Sequence, residues 1–124
     1  MLDLTLLYVG AALTGLWGVS HLIPTRSVVA GFGGISLDNR RIITMEWIVE
    51  GVALIFMGLL VAALTWVDPA SAAARVAYLV TVAGLLALAA VSLFTGFKVN
   101  FLPFRLCPFI FSGSALLILV GGVI

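Results

Sequence analysis

Glu46 and Glu50 stand four residues apart inside an apolar stretch, and the chain's one histidine, His21, closes another such stretch. Residues four apart share a helix face, so a helix over this region presents both carboxyls on one side. Two carboxyls one turn apart in a low dielectric do not both hold charge cheaply. They share a proton, pair with an imidazolium, or pair with an arginine at the mouth. His21, Arg40, Arg41 and Arg105 are the available partners. Any of these arrangements can give and take a proton, and ionisable groups within a membrane span are functional candidates by default. Glu50, Glu46 and His21 form the candidate catalytic set, and Trp17, Trp47, Asn100, Arg40 and Arg105 are candidate ligand-binding residues around it. Plainer roles compete with these. Glu46 can snorkel to the headgroups beside Arg40 or Arg41, His21 can donate to a carbonyl at a helix end, and Trp17 and Trp47 can join an interfacial belt, as Trp66 is expected to do. The spacing of His21, Glu46 and Glu50 fixes no ligand geometry, so no metal is assigned, and no cofactor is indicated.

The elements that must position these residues follow from composition. The chain has 124 residues, of which 64% are apolar, six basic and five acidic. A soluble domain is about 45–50% apolar and about 25% charged, so there are too few charges here to face water. A net charge of +1 excludes a nucleic-acid footprint. High hydrophobicity excludes disorder. A single cysteine, Cys107, excludes a disulfide framework and any CxxC signature, and with no second cysteine or nearby base it reads as inert. What remains is an all-α integral membrane protein, a four-helix transmembrane bundle forming one domain over residues 1–124. Runs of ~20 apolar residues cover the ~30 Å hydrocarbon core. They fall at about 4–23, 42–67, 76–97 and 104–124, and none alternates as a β-barrel strand would. Asp3, where a basic segment would stand, argues against a cleavable signal.

The small and hydroxylated stripes predict which faces meet. Gly10, Thr14, Trp17 and His21 line one face of the first span, and Thr81, Gly84, Leu88, Ser92 and Thr95 line one face of the third. Gly51 and Gly58 allow a close approach on the second. The long connection from Pro24 to Arg41 is rich in apolar residues and glycine, and is expected to lie on the interface or fold over the site as a lid. Asp38 is expected to cap the second span or pair with Arg41. Arg40 and Arg41 are read as topology signals touching anionic headgroups, with contact to an acidic ligand as the alternative. Arg26, Arg40, Arg41, Lys98 and Arg105 stand in the first and third connections against Arg75 alone on the opposite side. That asymmetry puts both connections in the cytoplasm and both termini outside the cell (inner) membrane.

Gly18-Val-Ser-His-Leu at the end of the first span, Val28-Val-Ala-Gly-Phe32 in the loop, and Trp47-Ile-Val-Glu50-Gly-Val-Ala-Leu in the second span resemble the DoxX-like group of small four-helix bacterial membrane proteins. That group often closes its first helix with lysine where this chain has His21. The resemblance covers about residues 5–65 and implies membrane location, bundle architecture and Glu50 as the matching glutamate. The group includes a subunit linked to thiosulfate oxidation and quinone reduction. The expected function is to bind, and act by acid/base chemistry on, a lipophilic small molecule such as a quinone, isoprenoid or sterol-like compound in the cytoplasmic leaflet. The alternatives are an accessory or assembly subunit of a larger membrane complex, docking through Ser112, Gly113, Ser114, Gly121 and Gly122, or an oligomeric proton-coupled transporter.

Overall fold

The computed structural model describes all of residues 1–124, and every regular element in it is helical. Helix α1 (Leu4–Leu22) starts where the Asp3 carboxylate accepts from the N–H groups of Thr5 and Leu6, at 2.9 and 3.2 Å. It ends just before Pro24. The connection that follows contains a six-residue helix, α2 (Thr25–Ala30), and turns at Gly33, whose φ of +72° suits a residue without Cβ. Helices α3 (Leu37–Val67), α4 (Ala72–Phe94) and α5 (Leu102–Gly122) complete the chain, with one 3₁₀ turn at Gly96–Lys98.

Three helix starts differ from the hydropathy reading, two of them because a capping serine lies outside the apolar run. Helix α3 begins five residues before Ile42, since Ser36 Oγ accepts from the Asn39 N–H at 3.2 Å. Asp38 is therefore in the first turn and not the cap; it lies 4.0 Å from Arg41. Helix α4 begins at Ala72 under a Ser71 cap and ends at Phe94, so Arg75 is within the helix. Helix α5 begins at Leu102, with Pro103 in its first turn and a buried Pro108 inside it.

Helices α1, α3, α4 and α5 are each long and apolar enough to cross a membrane. Their outer faces are greasy: Leu16, Phe56, Leu59, Val80 and Leu116 are all at least 60% exposed. Apolar patches on that scale do not face water in a monomeric soluble protein, and lipid is the solvent that suits them. The chain is a multi-pass membrane protein built as a four-helix bundle.

Around the bundle the order is α3, α1, α5, α4, enclosing Leu7, Leu54, Val61, Tyr78, Leu85, Phe111 and Ile118. The α1–α3 seam is made by glycines. A Cβ on Gly58 would stand 2.6 Å from the Ala11 carbonyl oxygen, and one on Gly18 would stand 2.6 Å from that of Gly51. Such approach gains dispersion contacts, the main attraction between helices in lipid. On α4 the core face is Ala74, Tyr78, Thr81, Val82, Leu85 and Ala89. The expected stripe through Gly84, Leu88 and Ser92 is half-buried at its edge, and Thr95 is exposed.

The small residues of α5 are mostly used inside the bundle. Ser114, Gly121 and Gly122 are buried, and Gly122 fits against Tyr78 and Leu7. Only Ser112 and Gly113 remain near the surface, so the expected five-residue docking face does not exist.

Helices α3 and α4 are tied at one end and open at the other. Thr65 Oγ1 donates to the Val61 carbonyl at 2.7 Å, which leaves Tyr78 Oη to donate to Thr65 at 2.9 Å. Tyr78→Phe is expected to cost about 0.6 kcal/mol, the mean for interhelical hydrogen bonds in a membrane protein. Denaturant unfolding in detergent checks this. Toward the other end the helices part, leaving a groove of about 440 Å³ that contains Ile42, Glu46, Trp47, Glu50, Leu54 and Leu88.

Candidate functional site: a histidine and a glutamate beside a roofed cavity

The site lies at the end of the bundle that holds the two basic connections. The close α1–α3 seam sets its register: Gly18 meets Gly51, so His21, one turn further along α1, comes level with Trp47 and Glu50 of antiparallel α3. His21 Nε2 stands 3.3 Å from Glu50 Oε2. The His21 side chain is only 9% exposed, whereas that of Glu50 is 44% exposed. The contact has ion-pair distance without hydrogen-bond alignment, and Nε2 has no other partner. A buried nitrogen in that condition is costly unless a further group completes it.

Trp47 holds the imidazole in place by two contacts. Its indole stacks on the His21 ring, with centroids 3.8 Å apart and planes at 16°. Its Nε1–H donates to the His21 carbonyl at 2.7 Å. That carbonyl belongs to the last turn of α1, where helix carbonyls lack intrahelical donors, so Trp47 closes the end of α1. Trp47→Phe keeps an aromatic face on His21 but orphans the carbonyl, and should lower stability by about 1–3 kcal/mol. Faster amide exchange at Ile23, whose N–H donates to the Val19 carbonyl at this helix end, is the accompanying sign.

On the far side of this stack is a cavity of about 350 Å³ between α1, the start of α5 and α3. Trp17, His21, Trp47, Phe104 and Cys107 line it, and Cys107 Sγ faces the Pro103 carbonyl at 3.5 Å. Phe104 meets Trp47 edge-on at 5.7 Å, and Phe101 lies 5.6 Å from Phe104. The cavity adjoins a wider vestibule of about 700 Å³ roofed by Pro24, Val28, Gly31 and Phe32 of the first connection and by Phe101 of the third. The loop from Pro24 thus folds over the site, as its apolar content suggests.

The pair therefore sits between two spaces: His21 lines the roofed cavity, Glu50 lines the groove between α3 and α4, and Trp47 lines both. Both spaces are within the ~300–1,000 Å³ range of small-molecule sites, and both are mainly apolar.

The other sequence candidates distribute unevenly. Trp17 is at the cavity, half-buried against the core. Glu46 shares the groove with Glu50 but is exposed and pairs with neither His21 nor an arginine. His21, Glu46 and Glu50 do not gather into a metal-holding cluster. Arg40 lies in a separate recess beside Arg26. Asn100 and Arg105 are exposed and line neither the cavity nor the groove; Arg105 Nε donates to the Val99 carbonyl at 3.3 Å. Phe101 and Phe104 are site residues that spacing alone did not single out, although their i, i+3 separation beside Pro103 places them on one side of a helix start.

No protein-family model, curated protein or solved structure matches the chain.

Proposed function

We propose that the protein binds a lipophilic small molecule with a hydrogen-bonding head group, of quinone, isoprenoid or sterol-like character, and that His21 and Glu50 handle a proton at that head. The observation carrying this reading is the buried, incompletely satisfied His21 Nε2 beside Glu50, at the wall of an otherwise apolar cavity. Nε2 is itself covered in this structure, so a ligand oxygen completes its hydrogen bonding by displacing part of the Glu50 contact, while the aromatic wall of Trp17, Trp47 and Phe104 covers an apolar ring. Glu50 accepts or supplies the proton, and His21 stabilises whichever form results. Glu46, one turn away on the groove, keeps a second carboxylate near Glu50. The resemblance to DoxX-like proteins carried by Gly18–Leu22, Val28–Phe32 and Trp47–Leu54 belongs to this proposal. So does the orientation, with the end bearing Arg26, Arg40, Arg41, Lys98 and Arg105 in the cytoplasm and the site in that leaflet.

The two cavity tryptophans make the test direct. In a Trp66→Phe background, which removes the exposed indole at the far end of α3, a short-chain quinone should quench Trp17 and Trp47 saturably. Linear, non-saturating quenching equal to that of a free tryptophan derivative in the same detergent contradicts the reading.

A further inference from the structure

Beside the first connection, α2 lies against the start of α3 and leaves a recess of about 300 Å³ lined by Thr25, Arg26, Val29, Ala30, Arg40 and Thr44. Neither arginine has a carboxylate within ion-pair distance: the ion pairs of this chain are His21–Glu50 and Arg41–Asp38. The threonine hydroxyls are already committed, Thr25 to the Leu22 carbonyl and Thr44 to the Arg40 carbonyl at 2.7 Å. The free donors of the recess are thus two guanidiniums, with no acid to neutralise them. Guanidinium forks match the oxygens of a phosphate bidentately, and arginine is the preferred residue for that task.

Position decides which phosphate. The recess sits where α3 passes from its charged first turns into its apolar span, and one and two turns below Thr44 the same side of the helix presents Ile48 and Val52, 42% and 53% exposed. A charged head at the recess therefore stands directly above surface suited to acyl chains. We propose that this recess holds the phosphate of an anionic phospholipid, gripped by Arg26 and Arg40, with its chains lying along Ile48 and Val52. Arg41, engaged with Asp38, is outside the site. The inference is independent of the His21–Glu50 reading, since it shares no residue with it.

Native mass spectrometry of the detergent-solubilised full chain tests it, using phosphatidylglycerol, phosphatidylcholine and inorganic phosphate as probes. Phosphatidylglycerol should be retained in preference to phosphatidylcholine, whose phosphate is compensated by choline. The R26Q/R40Q double variant should lower that preference about tenfold and each single variant about threefold, while R41Q and R105Q leave it unchanged. Arg26, Arg40, Arg41 and Arg105 are all exposed, so melting of all five variants is expected to match the parent. An undiminished preference in the double variant, or an equal loss in R105Q, overturns the site. Displacement of the lipid by millimolar inorganic phosphate overturns the lipid as its source and assigns the recess to a soluble anion.

Discussion

Glu50→Gln is expected to weaken binding of a short-chain quinone by about ten- to a hundredfold while leaving the bundle folded. The substitution keeps the shape of the side chain and removes its charge. In the proposed complex the Glu50 carboxylate bonds the ligand head beside His21, so what is lost is one charge-assisted hydrogen bond to the ligand, worth about 1.5–3 kcal/mol. Converted at 1.4 kcal/mol per factor of ten, that is the stated range. Saturable tryptophan quenching in the Trp66→Phe background measures it. Folding is expected to survive because the Glu50 side chain is 44% exposed on the groove and the α1–α3 seam does not depend on it. Glu46→Gln is the matched comparison: being exposed and unpaired, it should shift binding by less than about threefold, under 1 kcal/mol. Equal effects from the two substitutions would mean that the groove, and not the pair, governs affinity.

Gly58→Ala is expected to lower stability by wedging α1 and α3 apart. A methyl group there meets the Ala11 carbonyl oxygen at 2.6 Å, the Gly15 nitrogen at 2.8 Å and the Gly15 Cα at 2.9 Å. All three are backbone atoms, so no side chain can swing aside and the helices must separate. Overpacking of this kind costs about 1–3 kcal/mol. Because the same seam sets the level of His21 against Glu50, quinone affinity should fall as well, although Gly58 lies two turns beyond Glu50. Gly113→Ala, with nothing within 4 Å of the added methyl, should leave both properties unchanged. Unfolding titrations of the three proteins in one detergent decide the matter.

Hydropathy is the part of this fold that the residues state most openly. Four runs are long enough to span a bilayer, and an inverted surface follows once the apolar residues exceed what a 124-residue core can hide. Half of the seam was legible too, because Gly51 and Gly58 recur at helical spacing on the second span; its α1 half, Ala11, Gly15 and Gly18, lies off the expected stripe, whose Gly10 packs against Leu117 and Ile118 of α5. Caps were harder. Ser36 and Ser71 start their helices from outside the apolar runs, and a count that stops at the first charge misses the turns between.

The carboxyl pair shows where one-dimensional reasoning ends. Glu46 and Glu50 share a face of α3, as a four-residue spacing requires, yet only Glu50 meets His21. Helix α1 ends at Leu22, so at the level of Glu46, one turn beyond, there is no α1 side chain to meet it. Which of two equivalent carboxyls is engaged depends on where the neighbouring helix stops, a tertiary fact. Trp47 makes the same point. Its sequence position suits an interfacial belt, but its N–H is spent on the His21 carbonyl and its ring on the imidazole.

Purifying the wild-type chain and the His21→Ala/Glu50→Gln double variant from the same membranes, and comparing the small molecules each retains by mass spectrometry, tests the account most directly. The expected result is a compound with a polar head and an apolar body, held in stoichiometric amount by the wild type and lost from a double variant that still elutes as a folded protein. Identical profiles from the two preparations, containing bulk lipid alone, would contradict it.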